Sequence, residues 1–220
     1  MKAKFLVSAA LGAGKKKSGV EQVETPMLML AKFSGMNLSA DLEGLVASSD
    51  GLIQDRLTES GFKGVAGEQL TIELAPGSKQ KQVMFVGLGK AGGFNCGTVR
   101  DTIKLAVENA VATGSERLSI PIMPNRLTSA SMGLMFTAHI IKCVADDVLA
   151  EKKGDGTLEI ELITSPHGKR HVEAGIKKAR KQSGPKPCGV CDEVKPKAAS
   201  KSAAKPDAKA AGTKKAACRK

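Results

Sequence analysis

The chain has 220 residues, 41% of them apolar, with six Phe and neither Trp nor Tyr. That is enough for one ordinary domain with a core of Val, Leu, Ile, Met and Ala plus an appendage, and too few rings for a platform that stacks single-stranded bases. The net charge of +12 is unevenly held, because residues 185–220 contain ten Lys/Arg against three Asp/Glu, so the rest of the chain is only mildly basic.

The N-terminus has a basic start and a short apolar stretch. A secretory signal would carry a longer apolar run and a cleaner small-residue exit, so the spacing predicts a strand over 4–9 and a loop over 12–19. That loop holds Lys15, Lys16 and Lys17, a solvated cluster that would supplement other basic surface. A second strand is predicted over 27–33. Over 40–59, Leu42, Leu45, Val46, Ile53 and Leu57 recur at helical spacing, interrupted at Asp50-Gly51. Strands over 69–74 and 82–86 are separated by Ala75-Pro-Gly-Ser-Lys, short enough for an antiparallel hairpin. A helix over 98–113 carries Val99, Ile103, Ala106, Val107, Ala110 and Val111 on one stripe and stops at Gly114. A strand over 118–122 follows. The helix predicted over 129–152 buries Met132, Met135, Phe136, Ile140, Cys143, Val144, Val148 and Leu149. A last strand over 158–164 precedes a helix over 169–181, with Val172, Ile176 and Ala179 inward.

Strands alternating with helices of this length imply an α/β domain, a mixed sheet with helices on both faces. From Ser183 the pattern ends. The run P-K-A-A-S-K-S-A-A-K-P-D-A-K-A-A-G-T-K-K has no large apolar residue and cannot bury a core. The expected organisation is therefore a domain over 1–182 and a disordered basic tail over 183–220.

The stretch V-M-F-V-G-L-G-K-A-G spells Gly87-x-Gly89-x-x-Gly92 at a strand end. A dinucleotide-binding turn requires the third glycine to open a helix and a carboxylate at the end of the next strand. Here Gly93-Phe-Asn-Cys-Gly intervenes, and the next strand ends in Met-Pro-Asn. A P-loop fails as well, because Lys90 is followed by Ala. The glycines read better as a tight turn off a buried strand.

Upstream of that turn stand S-G-F-K-G-V-A-G-E, a strand, a short turn, and V-M-F-V-G-L-G-K, preceded by D-G-L-I-Q-D-R-L from Asp50 to Leu57. Over roughly residues 3–182 this resembles the N-terminal domain of the leucyl (cytosol) aminopeptidases. The resemblance implies a macro-domain-like three-layer sandwich. It does not imply a peptidase, because in that family the two metals, the catalytic Lys and Arg and the N-T-D-A-E-G-R-L signature belong to a C-terminal domain. That signature is not in these residues, so no catalytic residue is carried over. The family's N-terminal domain packs against the catalytic part and contributes to oligomers; in some bacterial members it takes part in binding DNA. The macro-like fold also suggests an ADP-ribose or nucleotide pocket, with Gly87, Gly89 and Lys90 as its candidate residues at a strand end.

His167-x3-His171 and Cys188-x2-Cys191 have ligand spacing and together number four donors, the set a structural zinc would take; the Cys pair could equally be redox-active. Otherwise no cofactor is expected. Cys96 and Cys143 read as buried small hydrophobes, and His139 as packed or solvated. Asp146 and Asp147 are adjacent and diverge on a helix, so they do not form a carboxylate pair. Five Cys at irregular spacing suit a reducing cytoplasm, with nucleoid association where the tail meets DNA. No stretch approaches the ~20 apolar residues that span a bilayer.

These readings converge on a non-catalytic interaction module. Its tail cations, Lys195, Lys197, Lys201, Lys205, Lys209, Lys214, Lys215, Arg219 and Lys220, would bind nucleic acid through phosphates without reading sequence. The alternative is an accessory piece of an aminopeptidase that docks on a catalytic partner or on a second copy. The nucleotide-binding module stands behind both.

Overall fold

Six short apolar runs pair into one sheet in the computed structural model, which describes residues 1–11, 19–38, 42–122 and 132–179. The strands are β1 (Lys2–Ser8), β2 (Thr25–Lys32), β3 (Gln69–Glu73), β4 (Gln80–Gly87), β5 (Arg117–Pro121) and β6 (Thr157–Ile163), in the order β1-β6-β5-β2-β4-β3. All neighbours are parallel except the expected β3–β4 hairpin.

The helices are α1 (Glu43–Ser48), α2 (Leu52–Glu59), α3 (Cys96–Ala112), α4 (Leu134–Glu151) and α5 (Pro166–Lys178). The predicted helix over 40–59 becomes two, because Asp50 (φ 50°) and Gly51 (φ 82°) are both left-handed. Two such residues in succession break a right-handed helix. Residues 39–41 lie outside the described residues.

Helix α3 starts at Cys96, two residues earlier than expected. Asn95 Oδ1 accepts from the Gly97 and Thr98 amides at 2.8 and 3.2 Å, and Thr98 Oγ1 accepts from the Asn95 amide at 3.4 Å. This reciprocal box satisfies the orphan donors of the first turn. The helix stops where expected. The Gly114 amide donates to Val111 O and the Ser115 amide to Ala110 O, the paired bonds of a Schellman ending.

Helix α4 corrects the prediction over 129–152. It begins at Leu134 behind Gly133, whose ψ of 167° is extended. Residues 129–131 lie outside the described residues. Met132 is buried ahead of the helix, while Met135, predicted inward, is 39% exposed and Phe136 half-buried. Ile140, Cys143, Val144, Val148 and Leu149 are buried as expected, and Ala138, Ile141 and Ala145 join them. Helix α5 starts three residues early, with Pro166 at its first position and Ser165 Oγ accepting from the Gly168 amide at 3.2 Å.

One face of the sheet packs Met27, Met84, Leu118, Ile120, Ile160 and Leu162 against α3, α4 and α5. Each such fully buried side chain contributes about 1.5–3 kcal/mol. Gly175 of α5 meets α4 so closely that a Cβ would run into Met135 O and the Ala138 methyl. The opposite face buries Leu28, Leu30, Val83, Phe85 and Ile72 beneath Leu45, Ile53 and Leu57 of α1 and α2. Buried Gln80 ties the lead-in to β2 down, its amide donating to Val20 O, Glu21 O and Val23 O. Among the described residues no helix is long and apolar enough to cross a membrane.

Candidate functional site

Because five strands run parallel, their C-terminal ends share one edge of the sheet, and the glycine turn lies there. A phosphate cradle needs backbone amides free to point at the ligand. Here they are already used. The Gly87 amide donates to Glu68 O at 2.8 Å, Leu88 to Lys32 O at 2.9 Å and Gly89 to Gly64 O at 2.9 Å. The loop over 62–68 lies across the turn, and a Cβ on Gly87 would drive into the Val65 carbonyl. Gly89 has φ 73° and sits against Ala66, so only glycine suits it. Gly92 faces open space, and Lys90 is exposed at the start of a 3-10 turn, Ala91–Gly93. The amides that open α3 are capped by Asn95, as described. The turn therefore serves to let one loop lie flat on another.

That covering loop is held by Glu68. Its carboxylate accepts from the Lys63 amide at 3.0 Å and the Val65 amide at 2.9 Å. Burial pushes its carboxyl up, but the backbone donors of residues 65, 63 and 64, with Lys32 beyond them, outweigh this and hold it below the ordinary value. The sequence showed Glu68 only as the last letter of G-F-K-G-V-A-G-E; its role depends on a fold-back that spacing does not reveal.

The other edge of the sheet carries a polar cleft of 910 Å³, lined by Lys4, Lys79, Lys81 and Arg117 with Glu24, Glu116 and Glu159 among its carboxylates. Register explains it. Lys4, Glu159 and Arg117 are cross-strand neighbours on β1, β6 and β5. Glu159 bridges both cations, at 2.9 Å to Lys4 and 2.5 Å to Arg117. The bonded Lys4 ammonium holds the Glu159 carboxyl below its ordinary value; burial opposes this, and Arg117 adds to it. In the next row Ser119 Oγ donates to Glu161 Oε2 at 2.7 Å and lies 2.9 Å from Thr25 Oγ1. The alternation in L-E-I-E-L-I already marks one polar face of β6, but not that β1 would supply the cation. The cleft offers paired charges rather than a free nucleophile or a carboxylate pair, so it suits an ionic partner better than acid–base chemistry.

The remaining candidates are dispersed. His167 and His171 lie exposed on α5, while Cys188, Cys191 and the tail cations from Lys195 to Lys220 fall outside the described residues. Among the described residues no three His, Cys, Asp or Glu gather to hold a metal. Cys143 is buried as expected, but Cys96 is only half-buried, at the start of α3. Burial pushes the His139 imidazole below its ordinary value. Burial raises the Asp147 carboxyl against the pull of Arg100, with Asp146 and Glu151 raising it further.

The layers and the sheet define the class as macro-domain-like. The chain superposes on a Trypanosoma brucei macrodomain with a TM-score of 0.58 and 12% identity, covering 77% of this chain and 65% of that one. A tomato leucine aminopeptidase mutant gives a TM-score of 0.56 and 16% identity, over 79% of this chain and 36% of that one. At such identities the likeness is one of fold.

Sequence narrows the class. Residues 29–132 match the cytosol aminopeptidase family, N-terminal domain. A probable cytosol aminopeptidase of Cyanothece sp. is 31% identical over 101 residues, which are 45% of this chain and 20% of the relative. The segment 29–132 therefore carries the N-terminal domain of the cytosol aminopeptidase family. The chain spans about a fifth of the length of the curated relatives it matches.

Proposed function

We propose that this protein is a non-catalytic interaction module whose C-terminal segment binds nucleic acid through phosphates. One observation carries the reading: ten Lys/Arg against three Asp/Glu are collected in residues 185–220, whereas the charged rows of the sheet are paired among themselves. Lysines and arginines on a segment too poor in large apolar residues to bury a core release counterions from a phosphate backbone and read no base edges. The recognised domain type supports the same direction, since it is the N-terminal part and not the catalytic part of an aminopeptidase.

The test is fluorescence anisotropy of labelled duplex DNA against salt. The full chain should bind with an affinity that falls steeply with salt and is indifferent to sequence. Replacing Lys195, Lys197, Lys201, Lys205, Lys209, Lys214, Lys215, Arg219 and Lys220 by Gln should remove most of that binding. Undiminished binding by the neutralised chain would refute the assignment.

The family match favours a second reading, docking of this domain on an aminopeptidase catalytic part or on a second copy. Co-purification with such a partner, and a change in its activity on adding this chain, separates it from the first.

A further inference from the structure

Strand β3 ends the sheet, and its backbone is only half used. In the antiparallel ladder with β4, the Leu74 amide donates to Lys81 O and the Gly87 amide to Glu68 O, while Leu70 and Ile72 stand opposite Phe85 and Val83. Residues that bond one neighbour alternate with residues that face the other way. Glu68, Leu70, Ile72 and Leu74 therefore turn their peptide groups toward β4, and Gln69, Thr71 and Glu73 turn theirs outward. Those three N–H and three C=O groups have no partner among the described residues. The run Q-L-T-I-E holds no Lys and no Pro, and its ladder is unbroken by a bulge, so nothing in it obstructs a further strand.

The edge also matches itself. Laid antiparallel about Thr71, it sets Thr71 against Thr71 of a second copy and Gln69 against Glu73 of that copy. Outward-facing residues then meet only outward-facing residues, and every free donor finds an acceptor. A slip of one residue would set outward groups against inward ones and lose the ladder. No like charges meet, because Glu73 faces Gln69 and not another Glu73. On the face toward α2, half-buried Leu70 comes opposite Ile72 of the second copy, so the apolar strip continues across the axis. A groove of 580 Å³ opens there between β3 and Leu52, Arg56 and Glu59 of α2. Its two helix charges pair with each other at 3.1 Å and set no net charge against a second copy.

We propose that two copies of this chain join their β3 strands in antiparallel register about Thr71, merging two six-stranded sheets into one around a two-fold axis. This deepens the second-copy reading given above and does not depend on nucleic acid.

Sedimentation equilibrium of the full, nuclease-treated chain at rising concentration tests it. The chain should pass from monomer to dimer and no further, because a two-fold contact uses up the edge that makes it. Thr71→Pro removes an outward donor and leaves the ladder to β4 intact; it should raise the dissociation constant by about thirty-fold, the worth of the two lost Thr71–Thr71 bonds. Gln69 is exposed, so its variants leave the fold unchanged and read the register alone. Gln69→Lys should tighten the dimer several-fold by facing Glu73 of the second copy, and Gln69→Glu should loosen it by a similar factor. The chain with its nine tail cations replaced by Gln should dimerise as the parent does, which separates this test from that of nucleic-acid binding. A monomer at every concentration, the result if some other segment or protein holds this edge, overturns the proposal. So does a dimer that Thr71→Pro leaves intact, or one that the two Gln69 variants shift in the same direction.

Discussion

On the sheet face beneath α3, α4 and α5, strands β1, β6, β5, β2 and β4 all contribute apolar side chains. The opposite face changes character halfway across. Under α1 and α2 it is Leu28, Leu30, Val83 and Phe85; on β1, β6 and β5 it is Lys4, Glu159, Arg117, Glu161 and Ser119. The difference shows how the fold allots its helices. An apolar row must be roofed to leave water, whereas a row of cross-strand ion pairs and hydroxyls is satisfied within the sheet and needs no helix above it. The polar half-face is consequently where the body keeps an ionic surface, and the apolar half is where single atoms matter most.

The steepest test of this contrast is at the glycine turn that closes the apolar half. Gly87→Ala would force a methyl into the Val65 carbonyl and Gly64 backbone, neither of which is a flexible side chain. We expect a loss of about 3–5 kcal/mol in urea unfolding. Gly92→Ala, in the same motif but facing open space, should stay within about 0.5 kcal/mol. Equal effects would break the distinction between packing glycine and loop glycine.

A smaller effect belongs to the buried hydroxyl. Ser119→Ala removes the donor to Glu161 and the neighbour of Thr25, and should cost about 1–2 kcal/mol. A neutral result would mean that solvent already serves this row.

The smallest lies at the rim of the polar half. Lys4 and Arg117 side chains are 62% and 39% exposed, so Glu159→Gln should cost about 1 kcal/mol or less. Its pH dependence is more telling than its size. The folded carboxyl is held below its ordinary value, so its stabilisation is complete above the unfolded pKa of about 4.3 and is lost as pH falls through the lower folded value. The variant should therefore show a shallower acid limb than the parent. Glu68, shifted in the same direction, should keep part of that limb in place. An unchanged limb would mean that the Lys4–Glu159–Arg117 row contributes nothing to acid sensitivity.

Local chemistry made much of the fold readable. All six strands stand where short apolar runs end in turn residues, and the hairpin follows from a five-residue connection. The errors lie where tertiary contact overrides a local signal. Met132 ahead of α4 and Met135 in its first turn drew the predicted stripe toward them, but close packing of Gly175 on α4 puts small Ala138 at the contact and leaves the Met135 side chain outside. Buried Thr137 was passed over for the same reason. The site was less legible than the fold. G-x-G-x-x-G looks like a cradle in one dimension; that its amides are satisfied by residues 32, 64 and 68 is a property of the folded loop. Nor does any window of sequence join Lys4 to Glu159, because their pairing spans 155 residues.

That separation bears on how the protein is made. Strand β1 is made before the other five strands, yet its neighbour in the sheet among the described residues, β6, starts at Thr157. The β2–β4–β3 block can zip from nearby sequence, but β1 stays unmatched until β6 has been made. Its Lys2 and Lys4, spaced along an otherwise sticky ribbon, are the kind of residue that keeps a waiting edge from pairing with the wrong chain.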